Sequence, residues 1–342
     1  MNRRSQKLVG IPAALAVAAL LAACSPGSSG SAKTSSDGTK KVTVQIDGAA
    51  VPYYAPLYEA KEQGYFSDAG LDVDFTYAQG SDIVKNVASG NVDFGFPNGD
   101  SVVTAYGKGI KTKVVHTTYQ QGIGSLLSQP SANIDSPADL KGKTVAVTDL
   151  GSPNYIQLQA MLQSAGLKVS DVKVRTLGTG VIVDALKNGQ VDAIIFSRLR
   201  YYALQSAGVE VNQILSDKYL PSFGNVIITG EDAVKSDPDT VKAFGSALNK
   251  GIEYTVKNPR KAVDMSVKKY ATSFKGQEEE ITTIVEDLFV KSLWQSDNTQ
   301  KNGLGSPDLA RWQKAIDSQK QFKLLDTSFD ASDLVVKPDD LD

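Results

Sequence analysis

The strand-then-helix pattern running through residues 42–117 starts again after residue 135, and this repetition constrains the fold more than any other feature. In the first pass, strands are expected at 42–46, 71–77, 92–96 and 113–117, with helices at 56–64, 81–88 and 101–106. In the second, strands are expected at 144–148, 172–176 and 191–196, with helices at 155–164, 182–187 and 199–206. The passes also share words. Ser67-Asp68-Ala69-Gly70-Leu71-Asp72-Val73 is echoed by Gln163-Ser164-Ala165-Gly166-Leu167-Lys168-Val169, and Gly90-Asn91-Val92-Asp93 by Gly189-Gln190-Val191-Asp192. Short connections between alternating strands and helices give α/β units around largely parallel sheets. Two similar α/β lobes are expected, one per pass. Glycine at helix ends recurs in any such chain, so the order and near-equal spacing of the matches carry the inference.

Residues 237–316 read as helical throughout. Asp237-Pro238 opens a helix with proline in its first turn, and Val241, Phe244, Leu248, Ile252 and Val256 follow at helical spacing. Asn258-Pro259 ends that helix and begins the next, and further helices are expected at 278–293 and 307–316. Trp294 and Trp312 are expected to pin these helices to the first lobe.

The start of the chain carries a different signal. Arg3, Arg4 and Lys7 precede an apolar run over 8–23 that is short and alanine-rich for a membrane span. It ends in Leu21-Ala22-Ala23-Cys24, which resembles the lipobox of bacterial lipoproteins. That resemblance implies a signal peptide over 1–23 and a lipid such as palmitate on Cys24, holding the protein on the extracytoplasmic face of the cell membrane. Residues 24–40, rich in Ser, Gly, Thr and Lys, read as a flexible tether.

Composition removes several function classes. Cys24 is the only cysteine and His116 the only histidine, so neither a disulfide framework nor a zinc cluster of those ligands is expected, and no metal or cofactor is assigned. Lys+Arg 36 against Asp+Glu 38 lacks the basic excess of a nucleic-acid binder. No Gly-Lys-Ser/Thr phosphate loop occurs, so the chain is not itself an ATPase. Any histidine-dependent catalysis must use His116, which Val114-Val115-His116 places in an apolar strand as a core residue.

Four segments, in order, resemble the bacterial solute-binding proteins for nitrate, sulfonates, taurine and thiamine-pyrimidine precursors. They are Pro56-Leu57-Tyr58-Glu59-Ala60 with Gly64 to Val73, then Ser89-Gly90-Asn91-Val92-Asp93-Phe94-Gly95, then Ser136-Pro137-Ala138-Asp139-Leu140-Lys141-Gly142-Lys143-Thr144-Val145, and Gly189-Gln190-Val191-Asp192-Ala193. The resemblance spans about residues 42–270. It implies an α/β, two-lobed periplasmic-binding-protein fold of type II, with lobes joined by two hinge crossovers and C-terminal helices packing on lobe one. It also implies a monomer that delivers a small solute to an ABC permease and its ATPase subunits. Lobe one is expected from residues 41–124 plus 225–342, lobe two from 125–224, and the crossovers near 121–128 and 221–225. A eukaryotic pyrimidine synthase resembles the same family, but it consumes a histidine and carries a cysteine-rich motif. The single, strand-bound His116 and the single Cys24 favour a binder over an enzyme.

In open α/β sheets ligands lie beyond the carboxyl ends of the strands, which selects the candidate contacts. Asp47 can accept a hydrogen bond from a ligand N–H or cap a turn, and Tyr53 and Tyr54 can stack or pack. Asn98 is a ligand candidate beside Asp100, which reads as a helix N-cap. Tyr119, Gln120 and Gln121 leave a strand at the first crossover, and glutamine offers donor and acceptor together. Ser152, Asn154 and Tyr155 open a helix whose free N–H groups can hold an anionic or carbonyl oxygen, or which Ser152 simply caps. Arg198 can meet a carboxylate, sulfonate or phosphate, and Tyr201 follows it. Many tyrosines and amides with few cations point to a heteroaromatic solute, pyrimidine- or flavin-like, ahead of an alkylsulfonate, taurine or nitrate.

Overall fold

In the computed structural model residues 38–341 are described, so the expected signal peptide, Cys24 and most of the tether lie outside the described residues. The strands are β1 (Lys40–Asp47), β2 (Leu71–Ala78), β3 (Phe94–Phe96), β4 (Lys113–His116), β5 (Gly124–Ser128), β6 (Thr144–Val147), β7 (Lys173–Thr176), β8 (Ala193–Ser197), β9 (Asn212–Leu215) and β10 (Ile227–Thr229). They form two five-stranded sheets, ordered β2-β1-β3-β10-β4 and β7-β6-β8-β5-β9. The orders match strand for strand. In each sheet three parallel strands are followed by an antiparallel one, β10 or β5, that arrives from the other sheet. The chain passes from the first sheet to the second between His116 and Gly124 and returns between Leu215 and Ile227.

The repeated Gly-x-Val-Asp words have a shared physical role. Asp93 accepts a hydrogen bond from the Thr43 N–H at 2.7 Å, and Asp93 N–H donates back to the Thr43 carbonyl at 3.2 Å. Asp192 does the same with Thr144, at 2.6 Å and 2.9 Å. In each half, the aspartate before the third strand ties that strand to the first, at Thr43 of β1 and Thr144 of β6. Two expectations shift by a few residues. Val92 and Asp93 precede β3 rather than joining it, and Val191 and Asp192 likewise precede β8.

β1 shows why alternation predicts a strand. Val42, Val44 and Ile46 are buried while the residues between them face outward. They meet Phe66, Phe94, Phe244 and Leu248, the last two from the helix Pro238–Lys257. Gly251 lets that helix lie close to the helix Ala55–Glu62, since a Cβ there would overlap the Pro56 carbonyl. The opposite face of the sheet buries Ile83, Val103, Ile228, Trp312 and Ile316. The C-terminal helices thus close both faces of the first sheet. Trp312 stacks on Phe223 at 4.2 Å and donates to the Thr117 hydroxyl at 3.1 Å, so it pins the helix Leu309–Gln321 to both crossovers. In the second sheet Leu126, Val145 and Ile195 face the helix Pro153–Ser164, while Leu127, Ala146 and Ile194 face Ile182, Leu186 and Leu204.

The helix expected over 278–293 is α-helical only over Glu278–Ile284 and continues as wider π turns over Val285–Leu293. That stretch carries Phe289 into an aromatic group with Tyr53, Tyr119 and Trp294. His116 is 4% exposed, with Nδ1 2.8 Å from the Thr118 hydroxyl and Nε2 2.9 Å from Asn249 Oδ1.

Candidate functional site

A cleft of about 510 Å³ opens where the carboxyl ends of the two sheets face each other. One wall comes from Asp47 and Tyr54 after β1, Gln79 to Asp82 after β2, and Asn98 and Ser101 after β3. The other comes from Thr148, Asp149 and Gly151 to Asn154 after β6, Thr179 after β7, and Phe196 and Ser197 at the end of β8. Ile123, Gly124 and Asn225 from the crossovers join the walls, and Gln157 lies on the floor.

Burial dominates the electrostatics. It pushes the Asp47 carboxyl up to about 6, against the backbone N–H groups of Gly80 and Gly48 that favour its ionised form. The neighbouring Tyr54 hydroxyl donates to the Asp47 carbonyl at 2.8 Å, and burial raises its pKa far above the phenol range. Asp100, 1% exposed beneath the cleft, is pushed up to about 7 by burial, against the Gln157 amide. Among the described residues, Asp47, Asp82 and Asp149 line the cleft, and no Lys, Arg or His does. Tyr54 and Phe196 supply one aromatic ring from each wall.

The helix Pro153–Ser164 starts in the cleft, yet little of its N-terminus is free. Pro153 has no N–H, and the N–H groups of Tyr155 and Ile156 donate to the Ser152 carbonyl at 3.1 Å and 3.3 Å. Gly151 and Ser152 N–H groups are taken by Asp149. Ser152 caps the helix, its hydroxyl accepting from Tyr155 N–H at 3.3 Å.

Of the residues expected at the site, Asp47, Tyr54, Asn98, Ser152 and Asn154 line this cleft. The others lie elsewhere. Tyr53 stacks on Phe289 at 5.2 Å and packs against the first-sheet core. Tyr119, 2% exposed, meets Phe96 and Phe289 edge-on. Gln120 is spent on internal bonds: its Nε2 donates to the Thr117 carbonyl at 2.6 Å and its Oε1 accepts from the Ser296 hydroxyl at 3.1 Å. Gln121 faces a separate depression with Lys291 and Arg311. Tyr155 packs on the second-sheet core, and Tyr201 packs there too, edge-on to Tyr202 at 5.6 Å. Arg198 is partly buried outside the cleft lining, and its backbone N–H donates to the Ile123 carbonyl at 2.7 Å. The expected capping by Asp100 is corrected: Asn98 Oδ1 accepts from the Asp100 N–H at 3.0 Å, and the Asp100 side chain turns inward. Gln157, Phe196, Asn225 and the 79–82 segment were missed. The strand-end rule reaches Gln79 to Asp82, which directly follow β2, whereas Gln157 lies a helical turn inside its element and carries no local sign.

Among the described residues, no three His, Cys, Asp or Glu side chains group to hold a metal ion, and no helix is long and apolar enough to cross a membrane.

A family model described as NMT1/THI5 like matches residues 51–262. The riboflavin-binding protein RibY of Chloroflexus aurantiacus is 26% identical over 296 residues, covering 85% of this chain and 83% of that protein. The 4-amino-5-hydroxymethyl-2-methylpyrimidine phosphate synthase THI13 of Saccharomyces cerevisiae is 25% identical over 239 residues, 66% of this chain and 69% of that one. Among solved structures, the alkanesulfonate-binding protein SsuA of Xanthomonas axonopodis pv. citri bound to MOPS superposes with a TM-score of 0.66 at 16% identity, over 86% of this chain and 98% of that one. At that identity the likeness concerns the fold, a periplasmic-binding-protein fold.

Proposed function

The chain belongs to the NMT1/THI5-like family, and from that premise we propose that it is the solute-binding component of an ABC importer. It closes on a flat, neutral or weakly basic heteroaromatic solute, pyrimidine- or flavin-like, and hands it to the permease. Its lobes are residues 41–124 plus 225–342 and residues 125–224, hinged at the two crossovers. Asp47, Tyr54, Asn98, Ser152 and Asn154 contact the solute.

One observation carries the choice of solute: among the described residues the cleft lining holds three carboxylates and no cation. An anion bound there would face carboxylates and meet no cationic side chain among the described lining residues. A ring with N–H groups meets an acceptor at Asp47 and the aromatic side chains of Tyr54 and Phe196. The name of the riboflavin-binding relative agrees with this reading.

An alkylsulfonate or nitrate is the second reading. It rests on the helix N-terminus at Ser152 and on the fold shared with the MOPS-bound sulfonate binder. The use of Gly151, Ser152, Tyr155 and Ile156 N–H groups within the protein weakens it. An enzymatic role like that of the synthase relative would need a reactive group in the cleft, and His116 is held away from it by Thr118 and Asn249.

Cys24 carries lipid and tethers the protein to the extracytoplasmic face of the membrane. Cys24→Ser releases the protein from the membrane fraction; retention after a high-salt wash contradicts the anchor. Native mass spectrometry of the protein as isolated tests the solute class. A retained neutral heteroaromatic agrees with the proposal, and a retained sulfonate or nitrate refutes it.

A further inference from the structure

We propose that Gln157 is the specificity-determining acceptor of the cleft, its side-chain oxygen reading an N–H donor on the solute, so that the site selects rings with an amino or imide edge. The inference rests on the solute-binding reading above and assigns a role to a residue outside the strand-end loops.

Four observations converge. Gln157 lies on the cleft floor and is 3% exposed, so its amide is a buried polar group that must be matched. Its Nε2 donates to Asp100 Oδ2 at 3.4 Å. Asp100 belongs to the helix Gly99–Gly107 on the first sheet, whereas Gln157 belongs to the second. This contact holds the nitrogen on the Asp100 side and leaves the oxygen on the other. That oxygen, Oε1, has no hydrogen-bond partner among the described residues. Finally, room for it is made at Gly124, where β5 begins: a Cβ there would overlap Oε1. Gly124 is not in a left-handed conformation, so the clearance, not backbone freedom, is what its missing side chain supplies.

A buried acceptor without a donor is unfavourable, and a donor brought by the solute removes that penalty. A solute that lacks the donor leaves the oxygen unmatched, and a solute oxygen in its place adds repulsion. Sites of this kind discriminate by absence more sharply than apolar pockets do. Asp47 on the opposite wall and the absence of cations in the lining favour the same chemistry, a ring rich in N–H donors. The link to Asp100 also joins the two sheets beneath the cleft, so the amide is held by one lobe and presented by the other.

Equilibrium dialysis of the full chain against 4-amino-5-hydroxymethyl-2-methylpyrimidine and its 4-deamino analogue tests this. The wild type is expected to prefer the amine at least tenfold, equivalent to ~1.4 kcal/mol. Gln157→Met, close in volume and without a carbonyl, is expected to bind both compounds with the affinity of the deamino form. Gln157→Glu keeps an acceptor and is expected to keep the preference. If the Met variant fails to fold, the wild-type ratio decides. Binding of the ring with no preference, or an unchanged preference in a folded Met variant, overturns the role of Gln157 while leaving the solute reading intact. Wild-type protein that binds neither pyrimidine overturns the role of Gln157, and the solute reading falls with it only if riboflavin is not bound either.

Discussion

Replacing Asp100 by asparagine should change how stability depends on pH in a way the structure fixes in advance. The carboxyl is 1% exposed and burial raises its pKa from 3.8 to about 7. The native state therefore holds this proton across the interval from about 4 to 7, while the unfolded chain, titrating near 4, has already released it. More protons bound in the native state means that stability falls as pH rises, by about 1.4 kcal/mol per pH unit. The burial penalty is absent below pH 4, grows through the interval and is constant above 7, reaching about 4 kcal/mol. Asparagine cannot ionise and removes that dependence. Its own cost in lost hydrogen bonding, about 1 kcal/mol, shifts the variant equally at every pH. Urea unfolding of both proteins between pH 4 and 8.5 gives the difference directly. The variant should gain about 3–4 kcal/mol relative to wild type between the two ends. A difference that stays flat, or that changes in the opposite sense, refutes the buried, proton-holding carboxyl beneath the cleft.

Three further outcomes follow from the geometry. His116 is held neutral by burial, its pKa lowered to about 4; stability is full above the unfolded pKa near 6.5 and falls by about 3 kcal/mol as pH drops from there to 4, a loss His116→Gln should abolish in the same unfolding series. Gly305→Ala combines a left-handed φ of +73° with a Cβ that would overlap the His116 ring, and should cost roughly 2–4 kcal/mol, read as a lower melting temperature. Asp217 Oδ1 accepts from Gly122 N–H at 3.1 Å, Ser222 N–H at 3.2 Å and Arg311 at 2.5 Å, tying both crossovers to the C-terminal helix. Asp217→Ala should cost about 2 kcal/mol or more, because it strands a partly buried guanidinium, and should broaden the solution-scattering profile of the unliganded protein; an unchanged profile counts against the crossovers being pinned there.

The sequence made strands β1–β4 and β6–β8 and the repeated Asp93 and Asp192 legible because each has a local cause. One face of β1 is buried, so its apolar residues alternate, and the aspartates accept from the Thr43 and Thr144 N–H groups of neighbouring strands. The strands β5, β9 and β10 were not legible. Leu126, Leu127 and Ser128 are buried on both faces, so β5 has no alternation, and β10 is a three-residue strand between two neighbours. The cleft was half legible. Residues directly after β1, β3 and β6 do line it. The tyrosines misled because ring area serves packing as well as stacking. Tyr53 and Tyr119 join the Phe289 group, whose position depends on a π-helical segment that no short-range pattern announces. Gln157 was invisible because its role depends on Asp100 and Gly124, which come from other elements.

Calorimetric titration of the protein with riboflavin, hydroxymethylpyrimidine, taurine and nitrate tests the central claim, a cleft built for a neutral, donor-bearing ring. The account predicts micromolar or tighter binding, about −8 kcal/mol, to at least one of the rings and none to taurine or nitrate. Micromolar binding of taurine or nitrate with no heat from either ring would contradict it.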